Sequence, residues 1–438
     1  MTAVVCVAVA CSNNSNTTYT PSSDPTISML SFTANDSFPA LAKAVFAVEE
    51  RIDTGLIFNV DSLAYGTRID SVVPKFTFSG SVVSSAVVIT PEDTIYLSGK
   101  DTIDFSKRPV YIHTVAEDGS AEKWYEIQVN VHSADPDLYV WEKVADEVLP
   151  AGFSNQRAVI MRDTMYLFAD DGLSAKLYYS VNGKEWTEKN PPFTEFDVKN
   201  TVVFSDKIYC MYEGEIKRLS SAKSEWQTMS EEKGDMELKQ LVFAFNNSLW
   251  AIARSKTDNN YYLATIGEEF AEWKSEGTIA TDFPISDFAA LSFLSPTGRQ
   301  RGMLVGGFDK DGKCLNTRWN VEYAVGSGYK WENFSIEQPS FSALAGVSII
   351  YYDKHFLMFG GVDEDNKLDN NVILESFDEG MNWSLPDSTH NKLPMSYRTR
   401  AYQSALTDSN NNIYLIGGKS RTEVFSDVYK GRLNSINW

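Results

Sequence analysis

Seven arginine and aromatic residues have the chemistry needed to bind an anionic or hydroxylated ligand. A guanidinium group binds a carboxylate through two parallel hydrogen bonds and also stacks on flat groups, so arginine beside an aromatic residue favours such a ligand. Four of the seven fall within six residues of one another near the C-terminus. The candidate ligand-binding residues are Arg157, Arg318, Trp319, Tyr397, Arg398, Arg400 and Tyr402. The alternative is that these arginines bind carboxylates and main-chain carbonyl groups of the protein itself.

Residues for metal binding or nucleophilic catalysis are scarce. The chain contains four Cys and four His, too few and too scattered for a zinc module or a disulfide framework. Two acidic segments, FDKDGK at 308–313 and VDEDNKLDNN at 362–371, carry oxygen ligands at alternating positions. Neither has the spacing of a calcium-binding loop, which supplies six or more oxygens. We therefore expect solvated loops, no metal, no cofactor and no catalytic residue that the spacing reveals.

The composition excludes several classes of partner. The 438 residues include 59 Asp and Glu against 39 Lys and Arg, which gives a formal net charge of −20. An acidic chain repels phosphate backbones, so we expect no nucleic-acid partner. No apolar run reaches the length of a transmembrane helix, while a hydrophobic content of 43% suffices for two or three folded domains. The candidate arginines therefore belong to a chain in which acidic residues outnumber basic ones.

The first residues predict a lipid anchor. Residues 1–11 are mostly small and apolar, and Ala8-Val9-Ala10-Cys11 resembles a bacterial lipobox, in which the cysteine is lipidated and becomes the mature N-terminus. We expect 1–11 to be a lipoprotein signal remnant and the Ser/Asn/Thr-rich segment 12–25 to be a polar linker. This places the protein in the cell envelope, on the periplasmic or the surface side of the outer membrane, with the lipid as its membrane contact. The alternative for 1–11 is a buried first strand.

Residues 26–133 predict an immunoglobulin-like β-sandwich. Six short segments separated by turn residues have the pattern of strands, and the last alternates, with Tyr125, Ile127 and Val129 on one face. Asp118-Gly119 predicts the hairpin turn before it, because glycine adopts positive φ without steric cost. About seven strands in this length are typical of such a sandwich. The segment resembles the N-terminal sandwich domains of surface lipoproteins from Gram-negative gut bacteria, which implies a spacer role.

Residues 138–438 contain an internal repeat marked by tryptophan. Seven of its tryptophans recur at intervals that average about 50 residues, which is the size of one four-stranded β-propeller blade. The repeated residues are Trp141, Trp186, Trp226, Trp273, Trp331, Trp383 and Trp438. Six intervals predict six blades. The outermost strand of the sixth blade comes either from the segment around Trp141 or from the segment around Trp438.

In the last three repeats the second strand ends in a Gly-Gly pair, at 306–307, 360–361 and 417–418. Together with the later aromatic residue and Trp, as in NIYLIGG … VFSDVYKGRLNSINW, this pattern resembles the Kelch repeat. Glycine is required there because the backbone turns with positive φ and a Cβ would collide with the adjacent blade. The first three repeats lack the pair and are assigned by their spacing.

A second motif resembles the Asp-box of glycan-active propellers such as sialidases. Its residues are Ser376, Asp378, Gly380 and Trp383. SVNGKEW at 180–186 is a shorter version with Asn182 in the place of the aspartate. In such a turn the carboxylate accepts main-chain N–H bonds and glycine takes positive φ. Because the motif lies on the outer part of a blade, we assign it a structural role.

Enzymes with related folds define the alternatives. Sialidases use an arginine triad and a Phe/Tyr-Arg-Ile-Pro motif, which this sequence lacks. Galactose oxidase needs a Cys–Tyr crosslink and two copper-binding histidines, whereas His355, His390, Cys210 and Cys314 have no suitable context. The sequence does not exclude a Kelch-type sialic acid epimerase, because the acid–base residues of such an enzyme need no distinctive spacing.

These observations together predict an all-β protein in which an Ig-like β-sandwich is followed by a six-bladed Kelch-like β-propeller. The whole resembles envelope lipoproteins of Gram-negative gut bacteria that join these two modules. Our leading hypothesis is non-enzymatic binding or scaffolding, with a glycan or an envelope protein as the ligand. The alternative is a carbohydrate-active enzyme, epimerase- or hydrolase-like, with its site at the propeller axis. Paired carboxylates facing that axis would favour the enzyme.

Overall fold

The computed structural model describes residues 19–34, 37–80, 82–220, 225–335, 341–368, 373–385 and 392–434. The predicted signal segment 1–11 with Cys11, residues 12–18 of the predicted linker, His390 and Trp438 lie outside the described residues. The chain divides into two compact units, with the boundary between Pro136 and Asp137. Both units are built of β-strands, which confirms the predicted all-β class.

The described part of the N-terminal unit contains eight strands and one short 3-10 helix, Pro39–Lys43. The strands are β1 Ile27–Phe32, β2 Phe46–Glu49, β3 Thr54–Asn59, β4 Pro74–Phe78, β5 Val83–Ile89, β6 Thr94–Tyr96, β7 Val110–Ala116 and β8 Glu122–Gln128. Six of them form one sheet in the order β2-β3-β8-β7-β5-β6, and β1 pairs with β4 in a second sheet. The sequence pattern found the longer strands but missed β2 and β6, because four and three residues are too few to show alternation.

Residues of both sheets enclose one core in this unit. Tyr125 and Ile127 of β8 are buried in it together with Leu30 of β1, as the alternation of β8 predicts. The buried Tyr125 hydroxyl donates to the Glu50 carboxylate (2.6 Å) and accepts the Ile27 N–H (3.1 Å), so the phenol group is satisfied. The core therefore ties the two-stranded sheet to the six-stranded sheet.

The strand pairing of the N-terminal unit differs in one respect from the expected immunoglobulin-like sandwich. The hairpin at Asp118-Gly119 joins β7 to β8 as predicted, with Gly119 at φ 73°. However, β3 and β8 pair in parallel, with Thr54 opposite Trp124. A parallel pair needs a long crossover connection, and β4 to β7 supply it here. Sequence alternation does not reveal such a pairing, because it depends on strands that are distant in the chain.

The described part of the C-terminal unit forms six successive sheets. The first contains β10 Asn155–Met161, β11 Thr164–Asp170, β12 Ala175–Ser180 and β13 Thr187–Lys189. The second and third contain β14 Thr201–Phe204, β15 Lys207–Tyr212, β16 Glu215–Ser220 and β17 Gln227–Thr228, then β18 Met236–Phe245, β19 Ser248–Ser255, β20 Tyr261–Gly267 and β21 Lys274–Thr278. The fourth contains β22 Ala289–Leu294, β23 Gln300–Val305, β24 Arg318–Ala324 and β25 Gly328–Asn333. The fifth contains β26 Ser348–Tyr352, β27 His355–Phe359 and β28 Ile373–Ser376, and the sixth combines β29 Ser404–Thr407, β30 Ile413–Ile416 and β31 Val428–Leu433 with β9 Tyr139–Ala145.

The six sheets close into a ring. The first strand of each sheet contacts the first strand of the next, and β29 of the sixth sheet contacts β10 of the first. This is the architecture of a β-propeller, and we call the sheets blades 1 to 6 and their first strands the inner strands. The outer strand of blade 6 is β9, which places Trp141 opposite Gly431 of β31. A Cβ on Gly431 would lie 2.3 Å from the Trp141 ring, so this contact requires glycine.

The Gly-Gly pairs of blades 4 to 6 turn the chain where the second strand ends. Both glycines of each pair have positive φ, for example 65° at Gly360 and 117° at Gly361. A Cβ on Gly306 would lie 2.2 Å from the carbonyl oxygen of Leu344, so no larger residue fits without a shift of the backbone. The turn in blade 6 brings Lys419, the residue after the pair, to the cavity described below.

The Asp-box of blade 5 has the hydrogen bonds expected of a structural turn. Asp378 accepts the Asn382 N–H (2.8 Å), Ser376 Oγ accepts the Gly380 N–H (2.8 Å), and Trp383 is buried. In the shorter version in blade 1, Asn182 accepts the N–H groups of two following residues at 2.9 Å. An amide oxygen thus takes the role of the carboxylate oxygen in the same turn.

Candidate functional site

The inner strands of all six blades surround an axial cavity of about 500 Å³. Its polar groups gather where the inner strands begin, because each strand enters the ring from the same face. The charged lining residues are Arg157, Lys199, Asp287 and Lys419. Three cations and one carboxylate thus line the cavity of a chain whose net charge is −20. This local excess of positive charge favours an anionic ligand.

Three residues at equivalent positions ahead of the inner strands have left-handed backbone conformations. They are Asp287 of blade 4, Gly346 of blade 5 and Tyr402 of blade 6, with φ of 54°, 65° and 60°. Their main chains are linked, since the Tyr402 N–H donates to Gly346 O (2.7 Å) and the Gly346 N–H donates to Asp287 O (2.8 Å). A left-handed tyrosine is a strained residue, and strain of this kind concentrates at functional sites.

Two lysines flank the ring of Tyr402. Lys199 forms an ion pair with Asp287, and its Nζ lies 5.4 Å from the centroid of the Tyr402 ring. Lys419 lies on the same ring at 4.7 Å and donates to the amide oxygen of Asn155 (3.1 Å). Burial lowers the pKa of Lys419, and the nearby charge of Lys199 lowers it further. Burial also raises the pKa of Tyr402 to about 12, with a smaller contribution from Asp287.

Arg157 brings a guanidinium group without a partner to this cavity. It lies on inner strand β10, it is half-buried, and its Nε is fully enclosed. Among the residues that the structure describes, none forms a hydrogen bond or an ion pair with this guanidinium, although Asp197 is near enough to act on it electrostatically. Burial lowers the pKa of Arg157 because water is excluded from the charge. A buried, unsatisfied cation of this kind is costly unless a ligand compensates it.

A second pocket of about 280 Å³ adjoins the axial cavity between blades 1 and 2 and shares Asn155 and Lys199 with it. Its acidic lining residues are Asp170, Glu195 and Asp197. The amide of Asn155 connects the two pockets, because it accepts from Lys419 and donates to Asp170 (3.1 Å). Burial raises the pKa of the Asp170 carboxyl, and the charge of Asp197 contributes to the rise.

Of the seven residues predicted from the sequence, Arg157 and Tyr402 line the axial cavity. Arg400 does not, because its guanidinium is only 1% exposed and is held by the protein itself. It donates to the Asp427 carboxylate, to Gly417 O (3.1 Å) and to Arg398 O (2.9 Å). The Tyr397 ring packs 4.2 Å from this guanidinium and is buried with it. Arg398 itself is exposed and makes two hydrogen bonds to Glu423, at 2.5 and 2.7 Å.

Arg318 and Trp319, two of the candidate ligand-binding residues, lie away from the axial cavity. Both lie on β24, the third strand of blade 4. Arg318 is buried over the ring of Phe334 (4.6 Å), where burial lowers its pKa to about 10. Trp319 donates its indole N–H to Asp282 O (3.2 Å).

Sequence reasoning missed Lys199, Asp287, Lys419 and Asn155. A signal for Lys419 exists, because the three Gly-Gly pairs are followed by Phe308, Val362 and Lys419, of which only the last is charged. The other three come from separate repeats, and only ring closure brings them together.

Within the described ranges, no cluster of three or more His, Cys, Asp or Glu side chains is arranged to hold a metal ion. The same residues include no helix with the length and apolar character needed to span a membrane.

Two family models match the chain. Residues 135–438 match the model described as the DUF6242 beta propeller domain, and residues 9–129 match the domain of unknown function (DUF6242) N-terminal domain. A solved structure titled "Structure of YjhT" is similar with 15% identity and a TM-score of 0.46, over 66% of this chain and 96% of that one. No curated protein matches the chain. The propeller match alone covers more than half of the residues, and the chain belongs to the DUF6242 family.

Proposed function

We propose that this protein binds an anionic glycan, without converting it, in the axial cavity of the propeller. The observation that carries the proposal is the unpartnered guanidinium of Arg157, which faces a cavity lined by further cations. A carboxylated sugar would supply the two acceptor oxygens that this group lacks. Amide and aromatic side chains of the same lining offer hydrogen bonds and flat surfaces for the hydroxyl groups and ring of a sugar. A propeller fold is consistent with such a binding or scaffolding role.

Calorimetric titration with glucuronate and with glucose tests this proposal, because the two sugars differ in the carboxylate. We expect glucuronate to bind and glucose to bind at least about tenfold more weakly, since a charge-assisted hydrogen bond contributes about 1.5–3 kcal/mol. Arg157→Gln should weaken glucuronate binding by the same factor. The matched control is Arg162→Gln, which removes an exposed arginine of blade 1 that pairs with Asp206. Equal affinity for both sugars, or no effect of Arg157→Gln, would contradict the proposal.

The second pocket favours an enzyme as the alternative function. Asp170 is a buried carboxyl group with a raised pKa, and Asp197 lies on the same pocket wall. A carboxyl group with a raised pKa in the same pocket as a second carboxyl group is an arrangement suited to acid–base chemistry on a sugar. Epimerisation or hydrolysis of a carboxylated glycoside by the wild type, lost in Asp170→Asn with binding retained, would support this alternative over simple binding.

We propose further that the protein is a lipoprotein of the bacterial cell envelope, with a Kelch-type propeller and lipid on Cys11. The support is the segment Ala8-Val9-Ala10-Cys11, the polar residues that follow it and the Gly-Gly pairs of the propeller. Metabolic labelling with palmitate and the intact mass of the native protein test the anchor. An unmodified chain that retains Ala10 would contradict it.

A further inference from the structure

Lys419 differs from the other lysine of the axial cavity in having a neutral hydrogen-bond partner. Its Nζ donates to the Asn155 amide, and among the described residues no carboxylate lies within ion-pair distance of it. Lys199, in contrast, is paired with Asp287. Lys419 is also half-buried in the cavity wall. Water and carboxylates are the two environments that stabilise an ammonium group, and Lys419 has less of both than a surface lysine.

A second positive charge adds to this effect. The Nζ atoms of Lys199 and Lys419 lie 5.4 and 4.7 Å from the centroid of the same Tyr402 ring, and the positive charge of Lys199 disfavours the ammonium form of Lys419. Three carboxylates act in the opposite direction without cancelling the lowered pKa; they are Asp287, Asp170 and Asp197. A desolvated lysine beside another cation is the arrangement that activates lysine as a nucleophile, because the neutral amine attacks carbonyl carbon.

We propose that Lys419 captures a 2-oxo acid as an imine in the axial cavity, an inference that rests on the anion site of the proposed function. The cavity carries both groups that this ligand class needs, since Arg157 can hold the carboxylate and Lys419 can attack the neighbouring ketone carbon. Both residues line the cavity, and Lys419 donates to Asn155, which lies two residues before Arg157 on β10. A ketone without an anionic group could not form the contact with Arg157. The pairing of an anion site with a reactive amine therefore selects 2-oxo acids over simple ketones.

Formation of the imine requires no oxidant and no reductant. The lone pair of neutral Nζ forms a bond to the carbonyl carbon, and the oxygen takes up a proton to give a carbinolamine. The nitrogen loses one proton to water, the hydroxyl oxygen takes up a second proton, and the carbon–oxygen bond breaks, so that the oxygen leaves as water. The product is a carbon–nitrogen double bond between Lys419 and the oxo acid, which water can reverse.

Reductive trapping with pyruvate tests the proposal on the full chain. Sodium cyanoborohydride reduces an imine to a stable secondary amine, so intact mass should show one added pyruvate unit, and peptide mapping should place it on Lys419. Lys419→Arg keeps the charge but not the nucleophile and should abolish the adduct. Lys430→Arg is the matched control, because Lys430 also lies over a tyrosine ring, 6.0 Å from that of Tyr414, but outside the axial cavity. Acetone, which has the ketone without the carboxylate, should give much less adduct.

The pH profile separates an activated lysine from a merely accessible one. Trapping should increase as the pH rises through the lowered pKa of Lys419, because the fraction of neutral amine increases. Lys199→Gln removes the neighbouring charge and should move this profile to higher pH. Adduct spread over surface lysines, or equal labelling of Lys419→Arg, would overturn the inference. If glucuronate still binds in that case, only the inference fails; if glucuronate does not bind either, the proposed function fails with it.

Discussion

Two regions of the propeller place positive charges beside tyrosine rings. One is the Arg400 cluster of blade 6, formed by Arg400, Tyr397 and Asp427, and the other is the axial cavity. The partners of the charges differ between the two regions. In the cluster, the guanidinium of Arg400 is enclosed and bound by Asp427 and two main-chain carbonyl groups. In the cavity, Arg157 has no such partner among the described residues, and Lys419 has only an amide. The first arrangement holds the fold together, whereas the second leaves charge for a ligand. In these two places, the presence or absence of partners distinguishes the structural arginine from the candidate binding arginine, although the residue type is the same.

The largest predicted effect is on stability and comes from Arg400→Ala. Removing Arg400 leaves the buried Asp427 with the more distant Lys143 (3.7 Å) as its counter-ion and takes the donor from two main-chain carbonyl groups, so we expect the free energy of unfolding to fall by about 3–5 kcal/mol. Urea denaturation followed by tryptophan fluorescence measures it. A loss below about 1 kcal/mol, which is the range of an exposed pair, would mean that the cluster is not structural.

Asp378→Ala should have the next largest effect. The Asp-box turn of blade 5 would lose the carboxylate that accepts the Asn382 N–H and the Ser376 hydroxyl, and two hydrogen bonds contribute together about 1–3 kcal/mol. Glucuronate binding should survive, because the turn does not line the axial cavity. Asp311→Ala, which removes a carboxylate from an exposed loop of blade 4, is the control for the loss of one negative charge. Selective loss of glucuronate binding with unchanged unfolding would assign this turn to the ligand site instead.

The cavity should also respond to pH in a way that the Arg400 cluster does not. The ammonium form of Lys419 attracts an anion, and its pKa is lowered, so glucuronate affinity should decrease as the pH rises through that value. We expect a change of about tenfold, which corresponds to about 1.4 kcal/mol. In Lys419→Arg the charge persists and the profile should be flat over the same range. Identical profiles for the two proteins would remove Lys419 from the anion site.

Arg398→Ala should have the smallest effect, although Arg398 is only two residues from Arg400. Its ion pair with Glu423 is solvent-exposed, and such pairs contribute about 0–1 kcal/mol. We expect nearly unchanged urea denaturation and unchanged glucuronate titration. A tenfold weaker affinity for glucuronate would show that a ligand reaches this exposed edge of blade 6.

The repeat and the turns of this protein could be predicted from its sequence, because they depend on local chemistry. Tryptophan spacing predicted the propeller, and the positive φ of the Gly-Gly pairs follows from the absence of a Cβ. The cavity could be predicted only in part, since its lining comes from six strands that meet when the ring closes. Arg400 and Tyr402 are only two residues apart in the sequence, which suggested a shared site. In the structure the Arg400 side chain is buried in the core, whereas Tyr402 lines the cavity.

A crystal structure of the protein with glucuronate tests the central claim most directly, because it shows which cations the ligand uses. We expect the carboxylate in the axial cavity, within hydrogen-bond distance of the Arg157 guanidinium, while Arg400 keeps its contacts to Asp427. Glucuronate bound at the Arg398 and Glu423 edge, or absent from the cavity at a concentration that saturates binding in solution, would contradict the account.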